Sequence, residues 1–188
     1  DSFRIRLGNA LAGGLRLALK ERGVPLWLES PLAELIEEKG RVVGAVISQR
    51  GTPLRIRAKK GVVLAAGGFD KNAQMRREHM PLYPHAQYSG GTSGNTGDSI
   101  RAATAVGAEV MNMQSTWAAP VFYIPGELGG RLCTIERALP GCIMVNQKGE
   151  RYWNEASSYH VTGQAMARRQ AEHGDASPSW MVFDGTYP

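Results

Sequence analysis

The sequence of 188 residues is short of several features that mark common classes of protein. It has only two cysteines, Cys133 and Cys142. They form no CxxC pair, and the histidines at 79, 85, 160 and 173 stand at no metal-ligand spacing from them. A metal site is therefore not expected, a disulfide has no support, and two ordinary thiols in a reducing, cytoplasmic compartment are the expectation. No apolar run approaches the length of a membrane span. The opening DSFRIRLGNALAGG lacks an initiator Met and the basic-then-apolar layout of a signal peptide, so the expectation is a soluble chain cut from a longer one. The net charge is +5, but Lys and Arg are scattered. No block is dense enough for a nucleic-acid arm, and no nucleic-acid partner is expected. Internal repeats and low-complexity tracts are absent too.

What is there begins with GVVLAAGGFD at 61–70. An apolar run from Val62 to Ala66, ended by Gly67 and Gly68, reads as a strand buried on both faces. A glycine pair lets backbone approach something closely, because no Cβ intervenes. Ligands of open α/β sheets sit beyond the carboxyl ends of the strands, so the run points at a cofactor site. An ordinary core strand with a glycine turn fits the same residues. The hydrophobic fraction of 43% is enough for a sizeable core. The mildly basic balance suits an anionic cofactor or substrate, although the Arg55–Lys60 cluster alternates with apolar residues like the wet face of a strand.

In chain order, leucines at helical spacing predict a helix over 3–22, stopped by Gly23. VPLWLE at 24–29 reads as a short strand. LAELIEE, RVVGAVIS and PLRIRAK, separated by Lys39-Gly40 and Arg50-Gly51, read as an antiparallel three-strand meander. Asp70 is placed to cap a helix over 71–79 that ends before Pro81. Thr96, Gly97 and Asp98 precede a helix closed by Gly107, whose first N–H groups can bind an acceptor or be capped by Thr96 or Asp98. AEVMNM at 108–113 reads as a strand. Residues 115–141 show no period, and a domain crossing is expected there. CIMVNQKGERYWNE at 142–155 reads as a hairpin around Lys148-Gly149, followed by a helix over 158–172 and a strand at 180–184.

Three blocks in this order carry a resemblance: GVVLAAGGFDKN, NTGDSIRAATAVGAEVMNM and ERALPGCIMVNQKGERYWNEASSYH. Together they resemble the flavoprotein group that contains fumarate reductase, succinate dehydrogenase and the 3-ketosteroid dehydrogenases, over nearly the whole chain. The implied fold is α/β (α+β in part). Residues 1–115 would form the central part of a Rossmann-type FAD-binding domain with an inserted antiparallel β-meander, and 116–188 the start of a substrate-capping domain. The GxGxxG motif with which that family opens is absent, so the resemblance implies an internal fragment that works with the remainder of its parent chain. By position, Leu32 would meet the adenine of FAD. Ala66, Gly67 and Gly68 would let the cofactor approach, and Asn95, Thr96, Gly97 and Asp98 would touch its flavin end.

The resemblance also bears on the substrate. In the fumarate and succinate enzymes a histidine precedes the proline of an H-P-T triplet. The matching stretch here is TWAAPV, with Ala119 in the histidine's place. A dicarboxylate needs cationic and donor groups at its ends. Ala119 beside Trp117, Phe122 and Tyr123 gives an apolar, aromatic wall suited to a bulky neutral ketone. ERALPG, NE followed by tyrosine, and TWAAP resemble the steroid subgroup most closely. There Tyr159 would match the tyrosine that abstracts a proton beside a ketone, while a neighbouring carbon gives hydride to the flavin. Fumarate or enoate reduction is the rival within enzymes, and a non-catalytic partner-binding module the rival outside them. A sheet lacking its first strand also leads to an expectation of self-association as a homo-oligomer.

Overall fold

The computed structural model describes residues 7–127 and 129–187. The chain divides into two units, Asp1–Val62 and Val63–Pro188. Helices and sheets are mixed, and every strand pair among the described residues is antiparallel.

In the first unit, α1 spans Leu7–Glu21; residues 3–6 of the expected helix lie outside the described residues. Gly23, at φ +65°, ends it. Its N–H donates to Lys20 O at 3.1 Å and the Val24 N–H to Leu19 O at 2.9 Å, which satisfies two of the last carbonyls. No residue of α1 is buried. The meander forms as expected, from β1 (Leu32–Glu38), β2 (Arg41–Gln49) and β3 (Thr52–Arg57) in that order. Each hairpin turns on two residues of positive φ, Lys39-Gly40 and Arg50-Gly51. That geometry matches the twist of the flanking strands. Val46 and Ile47 on the middle strand are its buried centre.

Three expected strands are corrected. Residues 24–29, 62–66 and 108–113 adopt no strand. Val63 is 90% exposed and Met111 82%. The reason lies in pairing. The meander strands find their partners one tight turn away. A strand of a parallel sheet needs neighbours reached by long crossovers, and none of the described strands pairs with these runs.

The second unit carries α2 (Ala73–His79), α3 (Asp98–Ala105) and α4 (Tyr159–His173). Two strand pairs accompany them: β4 (Val121–Phe122) with β5 (Arg131–Leu132), and β6 (Cys142–Val145) with β7 (Trp180–Phe183). Asn72, not Asp70, caps α2, its Oδ1 accepting from the Met75 N–H at 3.0 Å. Asp70 instead accepts from the Ser89 hydroxyl. The turn at Lys148-Gly149 exists, but the hairpin does not. Fully buried Asn146 accepts on Oδ1 from the N–H groups of Lys148 and Glu150 at 3.0 and 2.9 Å. Its Nδ2 donates to Asp175 at 3.2 Å. Those bonds commit the chain to a buried polar cluster, and β6 takes β7 as its partner, with Cys142 opposite Phe183 and Val145 opposite Trp180. Helix α4 starts at its Ser158 cap and stops at Gly174, φ +70°.

Candidate functional site

Two constructions in the second unit gather most of the residues singled out in the sequence. The first joins 66–68 to 95–98. Residues 63–68 are exposed, and the small side chains at 65–68 leave their main chain bare. Gly67, at φ +77°, turns the chain where a Cβ would come within 2.5 Å of Asn95 Oδ1. Beside it a Cβ on Gly68 would meet nothing within 4 Å. The Gly97 N–H donates to Gly68 O at 3.1 Å, the Lys71 N–H to Asn95 O at 2.9 Å, and Asn72 Nδ2 to Thr96 O at 2.9 Å. Asn72 therefore caps α2 and holds the entry to α3 at once. Gly97, at φ +79°, sits where a Cβ would come within 2.5 Å of Met75 Sδ.

The first turn of α3 keeps N–H groups without partners inside the helix, and Gly97 offers no side chain to cap them. Asp98 does not cap the helix either. It holds Arg101 at 2.5 Å, and Arg101 also donates to Thr96 O at 3.1 Å. The result is a bare, exposed run of main chain hydrogen-bonded to a stretch that ends in an open helix N-terminus. A flat, anionic cofactor fits both features: close approach over Gly68, and negative groups near the start of α3. Leu32 begins β1 in the other unit and pairs with Ile47.

The second construction sits on α4. Tyr159 is its first residue, and its ring stacks on Trp117, with centroids 5.8 Å apart and planes at 22°. Trp117 is 76% exposed, so the stack offers an aromatic face outward. Gly163, one turn along α4, explains how Trp117 gets there. A Cβ at Gly163 would lie 2.9 Å from Ala118 Cβ and 3.1 Å from Ala119 N, so only glycine lets the 117–119 segment lie on the helix. Ala118 is buried by this contact and Ala119 half-buried. Phe122 is placed on β4 opposite Arg131.

Arg137 is 2% exposed and donates to three main-chain carbonyls, two of which, Glu155 and Ser157, precede Tyr159. His160 follows Tyr159 and keeps its Nδ1 buried without a partner. Neither cysteine is set up to react. Both thiols are free, burial pushes each above the usual thiol range, and Cys142 Sγ points at the Leu139 carbonyl at 3.2 Å. Among the described residues no group of His, Cys, Asp and Glu could hold a metal ion.

Sequence reasoning did not single out Gly163, Arg137 or Asn72. The first left a signal, because glycine inside a helix is unfavourable and often marks close packing.

The chain is 35% identical to a 3-oxosteroid 1-dehydrogenase of Mycobacterium tuberculosis (strain ATCC 25618 / H37Rv), over 97% of this chain and 34% of that protein. Its fold matches the crystal structure of a 3-ketosteroid delta1-dehydrogenase from Sterolibacterium denitrificans in complex with 1,4-androstadiene-3,17-dione, with a TM-score of 0.91 and 47% identity over 96% of this chain and 33% of that one. It also matches the open conformation of a flavocytochrome c3 fumarate reductase, with a TM-score of 0.74 and 27% identity over 96% of this chain and 30% of that one. The chain thus spans about a third of the length of the relatives it matches. The FAD binding domain family matches residues 4–188, and the chain belongs to that family.

Proposed function

We propose that this chain is the central part of an FAD-dependent dehydrogenase that removes a proton and a hydride from adjacent carbons beside a ketone, with a 3-ketosteroid as substrate. The observation that carries the reading is the Tyr159–Trp117 stack. It combines a phenol hydroxyl, able to exchange a proton, with an exposed aromatic face and no cationic side chain at position 119. FAD, when bound, supplies the hydride acceptor. The bare main chain at Ala66, Gly67 and Gly68 would hold it, together with Asn95, Thr96, Gly97 and Asp98.

Tyr159 would take the proton from the carbon next to the carbonyl. A phenol takes up a proton only as its anion, so the base must work with a partner that stabilises that anion. Trp117, Ala119 and Phe122 would form the wall against which a flat, apolar ketone lies. A division near residue 115 follows from this reading, with 1–115 serving a Rossmann-type cofactor domain and 116–188 opening a capping domain. The rest of the parent chain would supply the remaining cofactor and carbonyl-binding groups.

The test uses the full-length protein, purified with its flavin and offered a 3-ketosteroid and fumarate in separate assays. Dehydrogenation of the steroid, lost in Tyr159→Phe while flavin content stays, supports the reading. Turnover of fumarate alone overturns it in favour of an enoate reductase, and a colourless protein removes the enzyme altogether.

A further inference from the structure

We infer that Arg137 is a positioning residue that fixes Tyr159 against the 117–119 wall; the inference deepens the proposed reading of this site and rests on it. A cation buried to 2% exposure is costly unless every polar contact is well used. Among the described residues no carboxylate pairs with it. Its partners are main-chain carbonyls instead. Nε donates to Cys133 O at 3.0 Å, and Nη1 donates to Ser157 O at 2.6 Å and to Glu155 O. A fork that spends its donors on three separate carbonyls sets main-chain geometry, and the flexible ammonium of lysine cannot reproduce that fork.

Those carbonyls are the ones that matter for the stack. Glu155 and Ser157 lie within four residues of Tyr159, and Ser158 between Ser157 and Tyr159 is the cap of α4. The hydroxyl of Thr162, which is 1% exposed, makes only a long contact of 3.5 Å with the Ser157 carbonyl, so Arg137 is that carbonyl's main support. On the other side the Cys133 N–H donates to Pro120 O at 3.0 Å, and Pro120 directly follows Ala119. A continuous run of hydrogen bonds therefore joins the wall at Pro120, through Cys133 and Arg137, to the two carbonyls that set the start of α4. The short turn carrying Arg137 is itself anchored, since the Tyr187 hydroxyl donates to Glu136 O at 3.1 Å. ERALPG and NE-to-tyrosine, separate blocks in the sequence, meet through this one side chain.

The experiment compares Arg137→Met, Arg137→Lys and Tyr159→Phe in the full-length flavoprotein. It measures flavin content, steroid kcat and KM, and the near-UV circular dichroism of the Trp117–Tyr159 pair. That signal is isolated as the difference from Trp117→Phe and read without substrate. Arg137→Met is expected to keep its flavin, lose the pair signal and drop kcat by about tenfold or more, with KM changed by less than about threefold, since small misplacements of a reacting group act on the chemical step. Arg137→Lys is expected to recover part of both. Should Arg137→Met not fold, Arg137→Lys carries the test, with a pair signal weaker than in the parent and a smaller drop in kcat expected. An unchanged pair signal in Arg137→Met, or in Arg137→Lys where that variant stands in, overturns the positioning role. A lost signal with Tyr159→Phe still fully active upholds the positioning role and overturns the proposed function.

Discussion

The two halves of the candidate site are made of different material. The 66–68 and 95–98 half is built from main chain: two glycines of positive φ, peptide hydrogen bonds between the stretches, and an uncapped helix start. The 117–119 and 159–163 half is built from side chains, an indole on a phenol, held by a buried guanidinium and by the absence of a side chain at Gly163. A surface of main chain presents the same groups whatever the neighbouring side chains are. It suits a partner that never changes, such as a resident cofactor. A surface of side chains can be retuned by substitution, which suits the part that chooses a substrate.

The sharpest way to test that difference is to remove one hydroxyl. Tyr159→Phe in the full-length protein should lower steroid turnover by about 10²–10⁴-fold, the usual worth of a positioned acid–base group, and leave the flavin spectrum unchanged. The converse change adds one methyl group. Gly67→Ala combines a left-handed backbone with a Cβ forced onto Asn95. It should cost about 1–3 kcal/mol and reduce flavin retention, while the Trp117–Tyr159 signal persists. Gly163→Ala should do the opposite. Overpacking against Ala118 costs about 1–3 kcal/mol, and the better helix propensity of alanine offsets about 0.5–1 kcal/mol of it. The expected readout is a raised steroid KM with flavin content intact.

A smaller effect concerns the frame under the second half. Hydrogen bonds from Arg169 outweigh the burial that opposes them and, with Lys148 assisting, hold the Asp175 carboxyl well below its usual range. A carboxyl whose pKa is lowered on folding stabilises the protein above its unfolded value of about 3.9. That stability drains away as pH falls from there towards the folded value. Urea midpoints should therefore drop steeply below about pH 4, and Asp175→Asn should be weaker at neutral pH with a flatter acid limb. The smallest expected change is a gain. His160 Nδ1 is buried without a partner, so His160→Leu should raise stability by about 1 kcal/mol, read as a higher thermal midpoint.

Legibility in the sequence followed the range of the interactions. The meander was readable because Lys39-Gly40 and Arg50-Gly51 close each hairpin within a few residues. Helix α4 was readable because its cap and its glycine stop are local. Val62–Ala66 has the composition of a strand but adopts none, since composition gives the propensity of a run and not its partners. The hairpin at 142–155 failed for a related reason: Asn146 reaches Asp175, 29 residues away, and no local pattern records that bond. At the site, Gly67 lies beside Asn95, Gly97 is bonded to Gly68 and Tyr159 is stacked on Trp117, although the blocks that hold them are far apart in the sequence. Arg137 and Gly163 stayed hidden, because a buried arginine looks like a surface one and a helical glycine looks like a defect. The exposed leucines of α1, Leu11 at 67% and Leu15 at 58%, show the same limit, because the sequence supplies the apolar stripe but not its cover.

The most direct measurement is the visible spectrum of the full-length protein, purified without added cofactor, alongside its Gly67→Ala variant. The parent should carry about one FAD per chain, and the variant should lose most of it while remaining folded by far-UV circular dichroism. A parent without flavin, or a variant that holds flavin as tightly as the parent, would contradict the claim that the bare main chain past Ala66 is where the cofactor lies.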